Sequence, residues 1–192
     1  MTAPNGPAAP VDPRRRFLLG ALLLFVAGAG RRLFAQARGL RFQPLAQSVI
    51  VPLDGLATTG RAHPFVAQGL TLGTAATPNQ PIRISGLIAR VAAGDNQPSR
   101  FAAVCARCPH EGCDVDFVAD PARLPQEVVD EIGRPLTQPV YLCPCHNSTF
   151  TMDDGARLSG PAPRGLYRFN VTRVTESAVE IAEVEEDVLI FA

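Results

Sequence analysis

The chain has 192 residues, of which 46% are hydrophobic and 19% charged, so it can form a buried core and is not a disordered tail. Its 18 basic residues, all arginine, balance 18 acidic residues, and this zero net charge excludes a basic nucleic-acid-binding protein. Sixteen glycines and 18 prolines predict short strands and long loops rather than a helical bundle. The five cysteines are an odd number, so they cannot all pair within the chain.

The N-terminal segment combines a basic flank with a short apolar run. Arg14-Arg15 followed by Phe17-Leu18 indicates a twin-arginine export signal, with an ordinary secretory signal as the alternative. The run Phe17–Gly30 would form about 21 Å of helix, short for a bilayer core of about 30 Å, and therefore suits a signal peptide. Ala35-Gln36-Ala37 offers a cleavage sequence. Against cleavage, Leu33–Ala37 could extend the helix past two arginines that snorkel, and we favour a retained anchor, mainly because of the family resemblance given below.

The charge is divided unevenly between this segment and the rest of the chain. Residues 1–37 hold five arginines but one acidic residue, so the remainder has a net charge of −4. Mild acidity suits a domain that must stay soluble outside the cytoplasm. We predict a cytoplasmic n-region at residues 1–16, a signal or anchor at 17–37, a linker at 38–47 and one β domain at 48–192.

Beyond the linker, short apolar and β-branched runs separated by turn residues predict antiparallel strands. The predicted strands are Ser48–Leu53, Ile82–Ile84, Leu87–Val91, Phe101–Val104, Val140–Leu142, Thr149–Thr151, Tyr167–Val174 and Ala178–Val184. Ser85-Gly86 is interpreted as a hairpin turn, and His63 as part of a turn-like stretch before Pro64. One helix is predicted over Pro125–Ile132, with Gly133 as its C-cap.

All five cysteines and two of the three histidines lie between residues 105 and 146. They form two groups, Cys108-Pro109-His110-Glu111-Gly112-Cys113 and Cys143-Pro144-Cys145-His146-Asn147-Ser148. Thiolates and imidazoles together suit either zinc or an iron–sulfur centre. A zinc site could use Cys105-x-x-Cys108 with Cys143-x-Cys145, or Cys108, His110, Cys143 and His146.

The two groups resemble the C-x-H-x-G-C and C-P-C-H-x-S boxes of Rieske [2Fe–2S] proteins, and the resemblance extends over roughly residues 45–184. It implies that Cys108 and Cys143 bind one iron and that His110 and His146 bind the other. It also implies a mainly β, Rieske-like antiparallel β-sandwich, preceded by an N-terminal hydrophobic helix. One cluster per chain is expected, held by a cluster-binding subdomain at residues 105–163.

The same resemblance implies a disulfide between Cys113 and Cys145 that ties the two loops together. Such a bond persists only in an oxidising compartment, which an export signal would supply. Cys105 is then the one cysteine left over, and we interpret it as a small residue at the end of the Phe101–Val104 strand.

Several residues near the boxes bear on the reduction potential. By resemblance, the Ser148 hydroxyl points at a bridging sulfide, whereas Phe150 occupies the place of a tyrosine that bonds a ligand sulfur in high-potential members. We therefore expect a lower potential than in the tyrosine-containing members. Gly160-Pro161-Ala162-Pro163 resembles the proline loop that covers the cluster in quinol-oxidising Rieske subunits.

Two features depart from the family pattern. Asn147 stands where the family usually has a glycine. Twenty-nine residues separate Cys113 from Cys143, more than twice the usual loop of mitochondrial-type members, and they include the predicted helix. The insertion is interpreted as a shield for the cluster, with docking of a partner subunit as the alternative.

Neutral imidazole ligands make a cluster less negative and raise its potential into the range of about −150 to +300 mV. Because an imidazole can also lose a proton, electron and proton uptake can be coupled at His110 and His146. A quinol gives up both electrons and protons when it is oxidised. The resemblance therefore favours an electron-transfer subunit of the cytochrome bc₁/b₆f type, which is not a stand-alone catalyst. Its expected partners are quinol, a cytochrome b-type subunit and a c-type cytochrome, on the outer side of the bacterial cytoplasmic membrane.

Two other functions also use a Rieske cluster. A ring-hydroxylating oxygenase also needs a non-haem iron held by two histidines and a carboxylate, and only His63 remains for such a site. A small Rieske subunit of an exported molybdenum enzyme, of the arsenite oxidase kind, fits the leader and Phe150 and remains the alternative.

Overall fold

The computed structural model describes residues 39–74 and 77–188. The predicted signal or anchor at residues 17–37 and its hydrophobic helix lie outside the described residues. Within the described ranges, no helix combines the length and the apolar character needed to cross a bilayer.

The described residues form two antiparallel sheets, which confirms the mainly β fold. The strands are β1 Phe42–Pro52, β2 Ala62–Thr74, β3 Thr77–Arg90, β4 Phe101–Cys105, β5 Asp116–Val118, β6 Val140–Leu142, β7 Thr149–Thr151, β8 Arg157–Ser159, β9 Arg168–Val174 and β10 Ala178–Glu185. The larger sheet has the order β1-β10-β9-β4-β3-β2, and the smaller has the order β5-β6-β7-β8. β1 starts at Phe42, which pairs with Glu185, six residues before the predicted start of the domain at Ser48.

The larger sheet supplies the main core. Leu56, Ile88, Val179 and Ile181 are completely buried there, and the rings of Phe65 and Phe169 meet edge to face at 5.0 Å. Each aliphatic side chain buried in this way contributes about 1.5–3 kcal/mol to folding. The predicted C-terminal hairpin is confirmed, because β9 and β10 pair antiparallel.

The predicted turn at Ser85-Gly86 is wrong, because β3 continues through both residues and pairs with β2 and β4. Gly86 lies opposite Phe65, and a Cβ built on it would approach Phe65 Cζ to 2.3 Å. The glycine is needed for close packing under an aromatic ring and not for a change of direction. His63, predicted in a turn-like stretch, instead lies in β2 opposite Ile88.

The smaller sheet carries the cluster-binding part. β6 and β7 have the predicted bounds, and their side chains reach a second core that includes the buried residues Val104, Tyr141, Phe150 and Leu166. This core also contains Cys108 and Cys143, so the cysteine groups lie against a packed apolar layer.

The insertion between β5 and β6 folds as a short helix with its own small core. Helix α1 spans Gln126–Ile132, and Gly133 closes it in the left-handed conformation with its N–H donating to the carbonyl of Val129. Val128 is buried against Leu124 and Val140. The predicted helix and its C-cap are therefore confirmed.

Candidate metal centre

The two cysteine–histidine groups fold into loops with the same backbone hydrogen-bond pattern. In the first loop the Cys108 N–H donates to the Cys113 carbonyl at 2.8 Å, and the Cys108 carbonyl accepts from the Gly112 N–H at 2.9 Å. In the second, Cys143 bonds in the same way to Ser148, at 2.8 Å, and to Asn147, at 3.0 Å. Each loop therefore holds its first cysteine in a closed ring of backbone hydrogen bonds.

The fourth residue after each of these cysteines has a positive φ, 75° at Gly112 and 60° at Asn147. Glycine adopts this conformation freely, and asparagine is among the few other residues that tolerate it. The two boxes thus differ in sequence at this place but share one backbone shape.

A disulfide joins Cys113 to Cys145 and holds the two loops together, as predicted. The remaining cysteines of the described chain, Cys105, Cys108 and Cys143, are free and buried.

The structure brings the four side chains predicted as ligands together as two pairs, one of cysteines and one of histidines. The thiols of Cys108 and Cys143 lie within hydrogen-bond reach of each other on the buried side. The imidazoles of His110 and His146 meet edge to face with ring centroids 4.9 Å apart. The His146 side chain is 46% exposed, so the histidines form the outer side of the arrangement.

The donor set fits a mixed thiolate–imidazole metal centre. The Nδ1 atom of His110 is buried and has no hydrogen-bond partner among the described residues, as expected for an atom that bonds a metal. Burial raises the pKa of the Cys108 thiol to about 11, and the adjacent Cys143 thiol also raises it. Without a metal this thiol is neutral at pH 7, so metal binding and deprotonation are coupled here.

Ser148 and the Gly160–Pro163 loop pack directly against these loops. The fully buried Ser148 hydroxyl accepts a hydrogen bond from the Ala162 N–H at 3.1 Å, and its bond to the Cys108 thiol lowers the pKa of that thiol. Gly160 has a φ of 82°, and a Cβ built on it would lie 2.4 Å from the Cα of Ser148. Only glycine allows this approach, which leaves Pro161 exposed beside His146.

The end of this loop is fastened to the larger sheet. Arg164 forms an ion pair with the buried carboxylate of Glu185 in β10, and its guanidinium lies 3.9 Å from the centre of the Tyr167 ring. Glu185 also accepts a hydrogen bond from the Arg168 N–H at 3.1 Å. The charges of Arg164 and Glu185 are therefore paired with each other where burial removes part of their hydration.

Phe150 is fully buried in the second core, opposite Tyr141. The Tyr141 hydroxyl is buried and has no hydrogen-bond partner within the described part of the chain. Burial raises the pKa of this phenol, so it is neutral. Sequence reasoning did not single out Tyr141.

Cys105 lies at the end of β4, as predicted, and its N–H donates to the Tyr167 carbonyl at 2.7 Å. It belongs to the core of the larger sheet, whereas Cys108 and Cys143 belong to the other core. Burial raises the pKa of its thiol. This placement, together with the disulfide at Cys145, contradicts a zinc ribbon built from Cys105-x-x-Cys108 and Cys143-x-Cys145.

Three glutamates that the sequence did not predict as site residues lie near the cysteine–histidine loops and the Gly160–Pro163 loop. A carboxylate oxygen of Glu111 lies 3.7 Å from His146 Nδ1, and Glu127 and Glu131 of α1 contact Asn147 and Gly160. Glu111 could have been noticed as a charge inside the first box. Glu127 and Glu131 carried no such signal, because only the fold brings α1 to the loops.

Residues 78–173, which are half of the chain, match the family model of the Rieske [2Fe-2S] domain. The matched segment contains both cysteine–histidine loops and the Gly160–Pro163 loop. No curated protein matches the chain.

Proposed function

The chain belongs to the Rieske [2Fe-2S] domain family, and from that premise we propose that it carries single electrons from quinol to a c-type cytochrome. Its domain binds a [2Fe–2S] cluster and has an electron-transfer role. The proposal assigns it to a complex of the cytochrome bc₁/b₆f type, with a cytochrome b-type subunit as its neighbour.

We propose these two pairs of side chains as the ligands, with Cys108 and Cys143 on one iron and His110 and His146 on the other. Support comes from the paired buried thiols, the facing imidazoles and the unpaired Nδ1 of His110. When bound, the cluster supplies a one-electron redox centre. The apolar layer behind the cysteines keeps water from the sulfur side, and the disulfide fixes the distance between the loops.

The observation that favours quinol as electron donor is the Gly160–Pro163 loop seated on Ser148 next to an exposed His146 edge. The loop matches in sequence the proline loop of quinol-oxidising subunits. Once its outer nitrogen has lost its proton, the exposed imidazole of His146 would accept a hydrogen bond from a quinol hydroxyl and then its proton.

We propose further that the domain lies on the outer side of the bacterial cytoplasmic membrane after twin-arginine export. The proposal is supported by Arg14-Arg15 with Phe17-Leu18, and by a disulfide that requires an oxidising compartment.

The alternative is a small Rieske subunit of an exported molybdenum enzyme of the arsenite oxidase kind. The observation that favours it is Phe150, which leaves the cluster core without a tyrosine hydroxyl at that place.

Affinity purification of the tagged chain from native membranes separates the two functions. We expect a b-type haem spectrum and quinol-dependent reduction of cytochrome c in the purified fraction. Recovery of a large molybdopterin-containing subunit without b-type haem would contradict the proposal and support the alternative. His146→Ala serves as the control, since it is expected to abolish the intact cluster and its visible absorption in either case.

A further inference from the structure

Helix α1 contacts the second cysteine–histidine loop and the Gly160–Pro163 loop through two carboxylates. Glu127 accepts a hydrogen bond from Asn147 Nδ2, and Glu131 Oε1 accepts one from the Gly160 N–H at 2.8 Å. The two glutamates are four residues apart, so they lie on one face of the helix, one turn from each other. One helix face thus holds the second box and the proline loop together.

Both contacts reach groups that adjoin the proposed centre. Asn147 has its own N–H bonded to the carbonyl of Cys143. Gly160 packs on the backbone of Ser148, whose hydroxyl bonds to the Cys108 thiol. Each glutamate is therefore linked through one residue to a proposed ligand cysteine or to the serine beside it.

The helix is held in place independently of these contacts. Val128 is 1% exposed and packs with Leu124 and Val140 in the separate small core of the insertion. Asp130, on the same helix, bonds instead to the side chain of Gln126 at 2.8 Å. The helix therefore offers two acids that contact the loops and one that does not.

Two carboxylates so placed disfavour the addition of an electron to the nearby centre, because reduction increases its negative charge. Both glutamates are exposed, so solvent and salt screen this effect. A screened interaction has a clear signature, since it weakens as ionic strength rises.

We propose that α1 is a positioning element whose Glu127 and Glu131 hold the second box and the proline loop and lower the reduction potential of the cluster. The inference rests on the cluster of the Rieske domain and does not depend on quinol or on any partner subunit. It assigns the insertion a role that a passive shield would not have.

The test of the charge effect uses the holoprotein with Glu127→Gln or Glu131→Gln, which keep a hydrogen-bond acceptor but remove the charge. Redox titration is expected to give a higher midpoint potential in each variant, a larger rise in the double variant, and smaller rises at high salt. Asp130→Asn is the matched control and should move the potential less than either. Unchanged potentials in both glutamine variants, or an equal rise with Asp130→Asn, would overturn the proposal.

The positioning effect is measured separately by hydrogen exchange of the Gly160 amide. Glu131→Ala is expected to speed this exchange about fivefold, the factor for one lost hydrogen bond, while Glu131→Gln leaves it near the native rate. Equal exchange in the native and alanine proteins would show that Glu131 does not hold the loop. Neither readout involves quinol, so a failed purification of a cytochrome b partner would leave this result standing.

Discussion

Two residues with left-handed backbone, Gly112 and Asn147, occupy equivalent places in the cluster loops. In each loop this residue donates its N–H back to the cysteine four positions earlier. Asparagine adopts this conformation at a cost smaller than that of most residues. Its side chain then becomes available to bond Glu127, which a glycine could not do.

Phe150→Tyr tests the expected influence of a missing hydroxyl. Phe150 is fully buried in the same core as the two cysteines proposed as ligands, and a hydroxyl there is expected to donate to one of their sulfurs and stabilise the reduced cluster. The midpoint potential, measured by redox titration, should rise. Phe117→Tyr, at a half-buried ring that packs on the same core, is the control and should leave the potential unchanged. A Phe150→Tyr midpoint equal to the native one would refute the hypothesis.

Tyr141→Phe tests whether the buried Tyr141 hydroxyl, which has no hydrogen-bond partner among the described residues, lowers the stability of the domain. An unpaired polar group in an apolar core costs free energy, so its removal should raise the free energy of unfolding by about 1 kcal/mol. Chemical denaturation of the two holoproteins, compared by transition midpoint, measures the difference. A loss of stability instead would mean that the hydroxyl has a partner, and would contradict the prediction.

At the scale of elements, the smaller sheet depends on a covalent link between its loops. The disulfide joins cysteines 32 residues apart, and closing a loop of that length stabilises the folded domain by roughly 3–4 kcal/mol. The double variant Cys113→Ser/Cys145→Ser should therefore lower the free energy of unfolding by about that amount and release iron faster. Denaturant titration and the decay of visible absorption measure the two effects.

Cys105→Ala is the matched control for this disulfide variant. It removes a free thiol that lies in the core of the larger sheet, so it should cost about 1 kcal/mol and leave the rate of iron release unchanged. Iron release that is equally fast in both variants would contradict a specific role for the disulfide.

At the scale of the whole domain, the larger sheet has a core of its own, and the second core, in which the two proposed cysteine ligands pack, includes residues of both sheets. The larger core contains neither Cys108 nor Cys143, which pack in the second core together with Val104 of β4. Removal of iron by a chelator should therefore increase hydrogen exchange in residues 105–163 and leave β1, β9 and β10 protected. Loss of protection throughout both sheets would show that the domain unfolds as one unit without its cluster.

Much of the fold was predictable from local signals. β6, β7 and the C-terminal hairpin follow from alternating apolar residues between clear turn residues, and α1 follows from its spacing and Gly133. Gly86 was misread because a glycine that makes room for a distant ring has the same local sequence signal as a glycine in a turn. β2 was not predicted, because Pro64, Gly69 and Gly73 interrupt its sequence with residue types that are typical of turns.

The sequence by itself determined the chemistry of the centre, because two short spaced boxes carry the thiols, the imidazoles and the cysteines of the disulfide. Spacing within a loop is a local property, and ligand type decides which metals are suitable. Only the tertiary structure decided which charges surround the centre. Glu127 and Glu131 are about 20–30 residues from Asn147 and Gly160 in sequence, and packing of α1 on its own small core brings them into contact.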